Sequence, residues 1–375
     1  MSAVLTFDIA RDRRELDVTR RIAEERPDGQ EFIVLLMRAR KRRTVNSELI
    51  WWDDRPWSWI TQIDNVSGYD DQAATNQLKV ADASIFAPKD VVLNMRTQEQ
   101  MFITAVDTDT DTITVIRGYG TSRYAMVDED KLMWLANAME ENSLAPASKI
   151  AQPTKRYNYT QTVRTPFDES ETSATDNLRT SETERQRLRR KKLLDHRLAL
   201  ERTAIWGKRH EDQTNKRRLT NGIDAYILTN EFDADGLLTE RKFFGDFSEM
   251  CFKYGSKTKL LVTSPLVGGI INDFAMGKIQ TSSGERTYGL QLNYIQTFHG
   301  RLYIVTSQNY EHDFAGWGHV LDMANIWYRP KQQRDTKLRT NIQENDRDGW
   351  RDEYLTEFAM QVELEKTHVR LINAA

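Results

Sequence analysis

The sequence holds a single cysteine, Cys251, in 375 residues. An internal disulfide is therefore impossible, and so is a zinc site built from cysteine pairs. No apolar run approaches the ~18 residues of a membrane-spanning helix. The first residues, MSAVLTFDIARDRREL, carry acidic side chains and no apolar signal core, which reads as a cytosolic start. Apolar residues are scarce too: hydrophobic residues make up 39% of the chain and charged ones 29%, with a mean hydropathy of −0.66. Compact globular domains carry ~45–50% apolar residues. Yet 9 Trp, 13 Tyr and 14 Phe are too many for a solvated, disordered polymer. The combination predicts an extended chain that completes its burial against other subunits.

Signatures of catalysis are missing as well. Met276-Gly277-Lys278-Ile279 lacks the upstream glycine and the following Ser or Thr of a phosphate loop. Asp107, Asp109 and Asp111 imitate the start of a calcium loop, but Thr112 stands where that loop needs Gly and Gly118 where it needs Glu; a hairpin turn is the expectation. Glu365 and His368 form a single Glu-x-x-His on a predicted strand, whereas a di-iron site needs a duplicated pair on helices. His312 and His319 lack further obvious ligands, Cys251 sits between Met250 and Phe252 as a core residue, and Gly118-Tyr119-Gly120-Thr121 reads as a turn. The sequence thus offers no catalytic, metal or cofactor site.

What it does offer is uneven charge. The net charge is −3, but residues 1–45 hold 11 basic and 8 acidic side chains and residues 176–218 hold 14 and 7. Taking those +3 and +7 segments away leaves −13 on the rest. Such a basic segment on an acidic protein suits a polyanion or an acidic partner surface, or a solvated face with internal salt bridges.

Residues 9–25 read as a charged helix with a thin apolar stripe, and 30–40 as a short helix with Phe32, Leu35 and Leu36 on one face. The strand-like run SELIWWDDRPWSWITQID places Trp51, Trp52, Trp57 and Trp59 within nine residues. These exceed what a thin loop covers and are candidates for an intersubunit contact. From about 78 to 140 short alternating segments separated by turn residues predict a small β sandwich or barrel. Ser181 and Glu184 have capping-box spacing and open a helix over about 182–209. Its apolar residues lie on several faces, the pattern of a spine. Arg185, Arg187, Arg189, Arg190, Lys191 and Lys192 make its start strongly basic. Further on, NGIDAYIL reads as a strand, GDFSEMCFKYG as a helix and KLLVTS as a strand. Ser264-Pro265 opens a helix, LQLNYIQTFHGRLYIVTS is a hairpin turning near His299-Gly300, and EYLTEFAMQVELEKTHVRL alternates as strand. The fold class is α+β.

The order of these segments resembles the HK97-like major capsid proteins of tailed bacteriophages, in particular the SU10-type major capsid family. The resemblance rests on LDVTRRIAEERPDGQEFIVLLMRARKRRTVNSELIWWDD, TITVIRGYGTS, TKRYNYTQTVRTPFDESETSAT, LERTAIWGKR and TKLRTNIQENDRDGWRDEYLTEFAMQVELEKTHVRL. It implies an N-terminal arm and short helix at 1–45 and an extended loop at 46–175 carrying the β module. It further implies a peripheral domain at 176–235 and 331–375 that holds the spine helix, and an axial domain at 236–330. It also implies a non-enzymatic head protein without cofactors. Such a protein assembles in the host cytoplasm into hexamers and pentamers of an icosahedral virion shell around double-stranded DNA. Its partners are itself, the packaged DNA by non-specific contact, and portal, decoration or scaffold proteins, with no membrane. The basic helix residues are then candidates for the inner face. No Lys, Asn and Glu of a crosslinking reaction can be placed. The competing readings are an encapsulin-like cargo shell and a sequence-independent nucleic-acid-binding protein that uses the basic helix.

Overall fold

The computed structural model describes residues 31–54, 58–71, 75–143, 152–176, 183–275, 286–287, 290–291 and 293–374. The helix predicted at 9–25, Trp57, Ser181 and the Met276–Ile279 segment lie outside these. The chain divides into two compact units, Asp54–Thr154 and the rest.

In the larger unit, α1 (Glu31–Ala39) forms where Phe32, Leu35 and Leu36 share a buried face. Next comes β1 (Glu48–Asp53), whose residues alternate exposed and buried. The smaller unit contains β2 (Ile60–Gln62), β3 (Thr75–Lys79), β4 (Asp90–Asn94), β5 (Gln100–Asp107), β6 (Thr112–Ile116) and β7 (Lys131–Asn137) in the order β2-β7-β4-β5-β6-β3. The ends of that path meet. Ile63 bridges Val80, the Asp64 N–H donates to Lys79 O at 3.0 Å and the Ala81 N–H to Gln62 O at 2.9 Å. The module is therefore a closed barrel, which leaves no open edge. Ile63, Leu78, Val92, Ile103, Val115 and Leu132 fill its interior. The Asp107–Asp111 stretch is a hairpin turn: Asp107 Oδ1 accepts the Asp109 N–H at 3.0 Å.

The chain returns to the larger unit through β8 (Thr154–Tyr159), which pairs with β1, and continues in β9 (Gln161–Glu169) and the short α2 (Glu171–Thr175). The spine helix α3 (Glu184–Trp206) is shorter than predicted. Its N-cap is Thr183 without a side-chain bond, and Glu184 pairs with Arg187; the expected capping box with Ser181 falls outside the described residues. A β10 (His210–Asp212) and β11 (Arg217–Leu219) hairpin follows. The predicted strand at NGIDAYIL is instead a 3-10 turn, Asp224–Tyr226, in which Ile223, Tyr226 and Ile227 are all buried. Their i, i+3, i+4 spacing is that of a helical turn, and it outweighs the β preference of Ile and Tyr.

Then come β12 (Glu231–Asp233), α4 (Glu240–Lys242), a π turn at Phe243–Phe247 and α5 (Ser248–Phe252). After β13 (Thr258–Thr263), α6 (Pro265–Ala275) starts as expected: Ser264 Oγ accepts the Val267 N–H at 3.0 Å. The remaining elements are β14 (Arg286–Thr287), β15 (Leu290–Gln291), β16 (Asn293–Gln296), β17 (Arg301–Thr306), β18 (Gly318–Leu321), β19 (Ile326–Pro330), β20 (Lys337–Arg339), β21 (Trp350–Val362) and β22 (Val369–Ile372). Glu365–Thr367, part of a predicted strand run, is a 3-10 turn between the last two.

Two larger sheets organise this unit. One is a mixed six-stranded sheet in the order β12-β22-β18-β13-β17-β16. The other is built on the 13-residue β21, which pairs with β9 along one edge and with β20 and β19 along the other. One core joins α1, β1 and the end of α3 to both sheets through residues such as Leu36, Trp51, Leu200, Val262 and Phe358. A second core lies between the six-stranded sheet and α6 with the π turn, around Phe243, Phe247, Cys251, Leu261 and Ile271.

Candidate functional site

The basic start of α3 is anchored to β21. Arg185 donates from Nε to Asp352 Oδ2 at 2.9 Å and from Nη2 to Oδ1 at 2.6 Å, and Arg189 donates to Oδ2 at 2.8 Å. The Asp352 side chain is 1% exposed. Burial opposes its ionisation, but Arg185, Arg189 and the Asn341 N–H hold its carboxyl below the usual range. Such charge-assisted, bidentate pairs fix orientation as well as charge. Arg185 also lies over the Trp350 ring at 5.8 Å, Arg187 pairs with Glu184, and Lys192 reaches Asp195 at 3.0 Å. Lys191 is exposed, and Arg190 is half-buried. Of the six predicted inner-face residues, Arg185 and Arg189 therefore serve the packing of this subunit.

Sequence reading missed Asp352, which is hidden in the alternation of RDEYLTEF, and the buried groups further along the spine. His196 is fully buried, its Nδ1 at 2.8 Å from Thr165 Oγ1 and its Nε2 at 2.7 Å from Thr356 Oγ1, and burial pulls its pKa down to about 4. Glu201, also fully buried, accepts the Ile33 N–H at 3.0 Å and the Ser307 hydroxyl at 2.7 Å. A carboxylate from the spine thus binds a free N–H at the start of α1.

The three described tryptophans of the run separate. Trp51 points inward, 6% exposed, with its ring 5.8 Å from that of Tyr226. This corrects its assignment to an intersubunit contact: strand alternation sends it into its own core. Trp52 and Trp59 are 64% and 54% exposed. Ile50 shares the outward face of β1 with Trp52 and is also exposed.

The residues set aside as metal or nucleophile candidates have structural partners. His319 is buried between Tyr310 Oη at 2.7 Å and Asp224 Oδ1 at 3.1 Å, while His312 is exposed. Glu365 accepts the Thr229 N–H at 2.7 Å, and His368 Nδ1 accepts the Asp322 N–H at 3.2 Å. Cys251 is buried among Phe243, Phe247 and their neighbours, and burial pushes its thiol up. Among the described residues no group of three or more His, Cys, Asp or Glu is placed to hold a metal. No helix among them is long and apolar enough to cross a membrane.

Solved structures align with this chain. One from Mycobacterium phage Bobi aligns over 99% of both chains at 8% identity with a TM-score of 0.53. One from Mycobacterium phage Cain covers 96% of this chain and 92% of its own at 8% identity and a TM-score of 0.48. The capsid structure of the cyanophage P-SCSP1u covers 64% and 80% at 9% identity and a TM-score of 0.42. No curated protein matches the sequence. The fold is that of the HK97-like phage capsid proteins. Residues 4–375 match the SU10 major capsid protein family, and the chain belongs to it.

Proposed function

We infer that copies of this chain close into hexameric and pentameric capsomers of an icosahedral shell that encloses packaged double-stranded DNA. The match to a major capsid family over residues 4–375 carries this reading. In these terms residues 1–45 are the arm and short helix, and 46–175 the extended loop with its barrel. Residues 176–235 and 331–375 form the peripheral domain, and 236–330 the axial domain. The role is structural, and assembly takes place in the host cytoplasm, with portal, decoration or scaffold proteins as further partners.

The spine helix carries eight Lys and Arg against three acidic residues. It faces the interior in this reading, and its contact with DNA is electrostatic and independent of base sequence. Trp52 and Trp59 lie against neighbouring subunits, where their burial supplies the stabilisation that an exposed strand face lacks. Electron microscopy of the purified full-length protein tests the shell. Closed shells, rings or tubes are expected; a monodisperse monomer that binds duplex DNA tightly overturns the reading.

A further inference from the structure

Phe298 is 100% exposed, and the turn that presents it is locked. The Thr297 N–H donates to Gly300 O at 2.8 Å, and the Gly300 N–H donates back to Thr297 Oγ1 at 3.1 Å. A Cβ at Gly300 would fall 2.5 Å from both the Phe252 ring and Lys257 O. The tip is thus packed down on the segment before β13, beside the exposed Lys257. A phenyl ring held fully in water by a rigid, well-bonded turn has no role within its own subunit.

A cavity of about 530 Å³ has the opposite character. Its apolar lining includes Leu266, 50% exposed, and Trp317, and its polar lining is Asn373 with three carboxylates, Asp233, Asp235 and Asp313. Lys242 approaches Asp235 at 3.6 Å and also acts on Asp233, and Arg370 lies over the Trp317 ring at 5.8 Å; three lining carboxylates against these two cations leave the site negative. Asp233 is held ionised, its pKa lowered by the Asp235 backbone N–H and by Asn373.

The six-stranded sheet separates knob from cavity. β13 and β17 run parallel, with Thr258 beside Arg301 and Thr263 beside Thr306; the Phe298 turn precedes β17 and lies at the Thr258 end. β18 runs antiparallel to β13 with Gly318 beside Thr263, so Trp317 lies at the other end, where Leu266 also follows β13. Six strand residues span ~20 Å. An apolar, basic knob and an apolar, acidic cavity at opposite ends of one sheet cannot meet within one subunit. They complement each other between subunits related head to tail, a relation that closes into rings when the rotation allows.

We propose that Phe298 of one copy of this chain seats in the Leu266–Trp317 cavity of the next copy, with Lys257 facing Asp313. The inference rests on the shell reading above and adds to it a specific intersubunit contact. The test is intersubunit crosslinking of the full-length double variant Phe298→Cys with Leu266→Cys, read on non-reducing gels; native Cys251 is buried. A ladder from dimer to closed ring is expected in the double variant only. Shells or rings without a ladder overturn this contact and leave the shell reading standing, and so does self-crosslinking of Phe298→Cys alone. A wild-type protein that stays monomeric overturns both. Phe298→Ser serves as a second variant. Its melting temperature stays that of wild type, since the fully exposed ring meets only the edge of the adjacent His299 ring, centroids 5.6 Å apart, while subunit association weakens by at least about tenfold, the scale for truncating an aromatic anchor. Unchanged association overturns the proposal.

Discussion

Arg185 and Asp352 stand 167 residues apart in sequence and share a two-pronged ion pair, 2.6 and 2.9 Å, in which the carboxylate is almost wholly buried. Arg189 and the Asn341 N–H use the same carboxylate. One aspartate therefore ties the start of the spine helix to the strand beneath it and to the loop before that strand. Asp352→Ala leaves two guanidinium groups facing each other without their counter-charge. Both arginines keep partial access to water, so the expected loss is about 1–3 kcal/mol rather than that of a fully buried pair. Urea unfolding of the unassembled subunit measures it, and an unchanged midpoint contradicts the anchoring role.

The histidines give a pH dependence of definite sign. His368 Nδ1 accepts the Asp322 N–H at 3.2 Å, and Nε2 lies 3.2 Å from Glu363 O. The neutral Nε2–H tautomer satisfies both contacts, whereas a protonated ring turns a donor toward a donor. Burial lowers its pKa from 6.5 to about 4, and His196 shifts likewise. Below pH 6.5 the unfolded chain binds protons that the folded one refuses. Stability is complete above that pH and falls as the pH drops toward 4, by on the order of 3 kcal/mol for His368 alone. Thermal melts between pH 4 and 7 should show this slope, and His368→Gln should flatten it.

In the barrel, Arg117 and Glu99 form an ion pair with both side chains fully buried. Glu99 also accepts the N–H groups of Gly118 at 3.1 Å and Tyr124 at 3.0 Å, and Arg117 donates to Asp70 O at 2.7 Å. Glu99→Ala strands a buried guanidinium and releases the Gly118–Tyr124 loop, at a cost of ~3–5 kcal/mol. Hydrogen exchange should show protection lost in β4 to β7 and kept in β13 and β17. Equal loss in both units contradicts this assignment.

Adjacent tryptophans should behave in opposite ways. Trp51→Ala removes a core ring and should lower subunit stability by ~3–5 kcal/mol. Trp52→Ser should leave the unfolding midpoint within about 0.5 kcal/mol of wild type and reduce the yield of assembled particles. Paired urea titrations and sedimentation profiles distinguish the two. A destabilised Trp52→Ser subunit, or one that assembles fully, contradicts the outward role.

The sequence by itself determined the elements whose signals are local. Ser264-Pro265 starts α6, the hairpin turns before Gly300, and the alternating strands of the barrel follow their turn residues, because caps, turns and strand period act over a few positions. The uninterrupted run from Glu184 to Trp206 became a helix for the same reason. Only the tertiary structure decided that NGIDAYIL would turn, since burial of Ile223 and Tyr226 against the core outweighs their β preference. It alone decided that Trp51 lies inside and Trp52 outside, that the barrel closes between Ile63 and Val80, and that Arg185 and Arg189 are spent on Asp352. These outcomes join residues far apart in the chain, and the energies that fix them, apolar burial and the pairing of buried charge, exist only once the distant partners have been brought together.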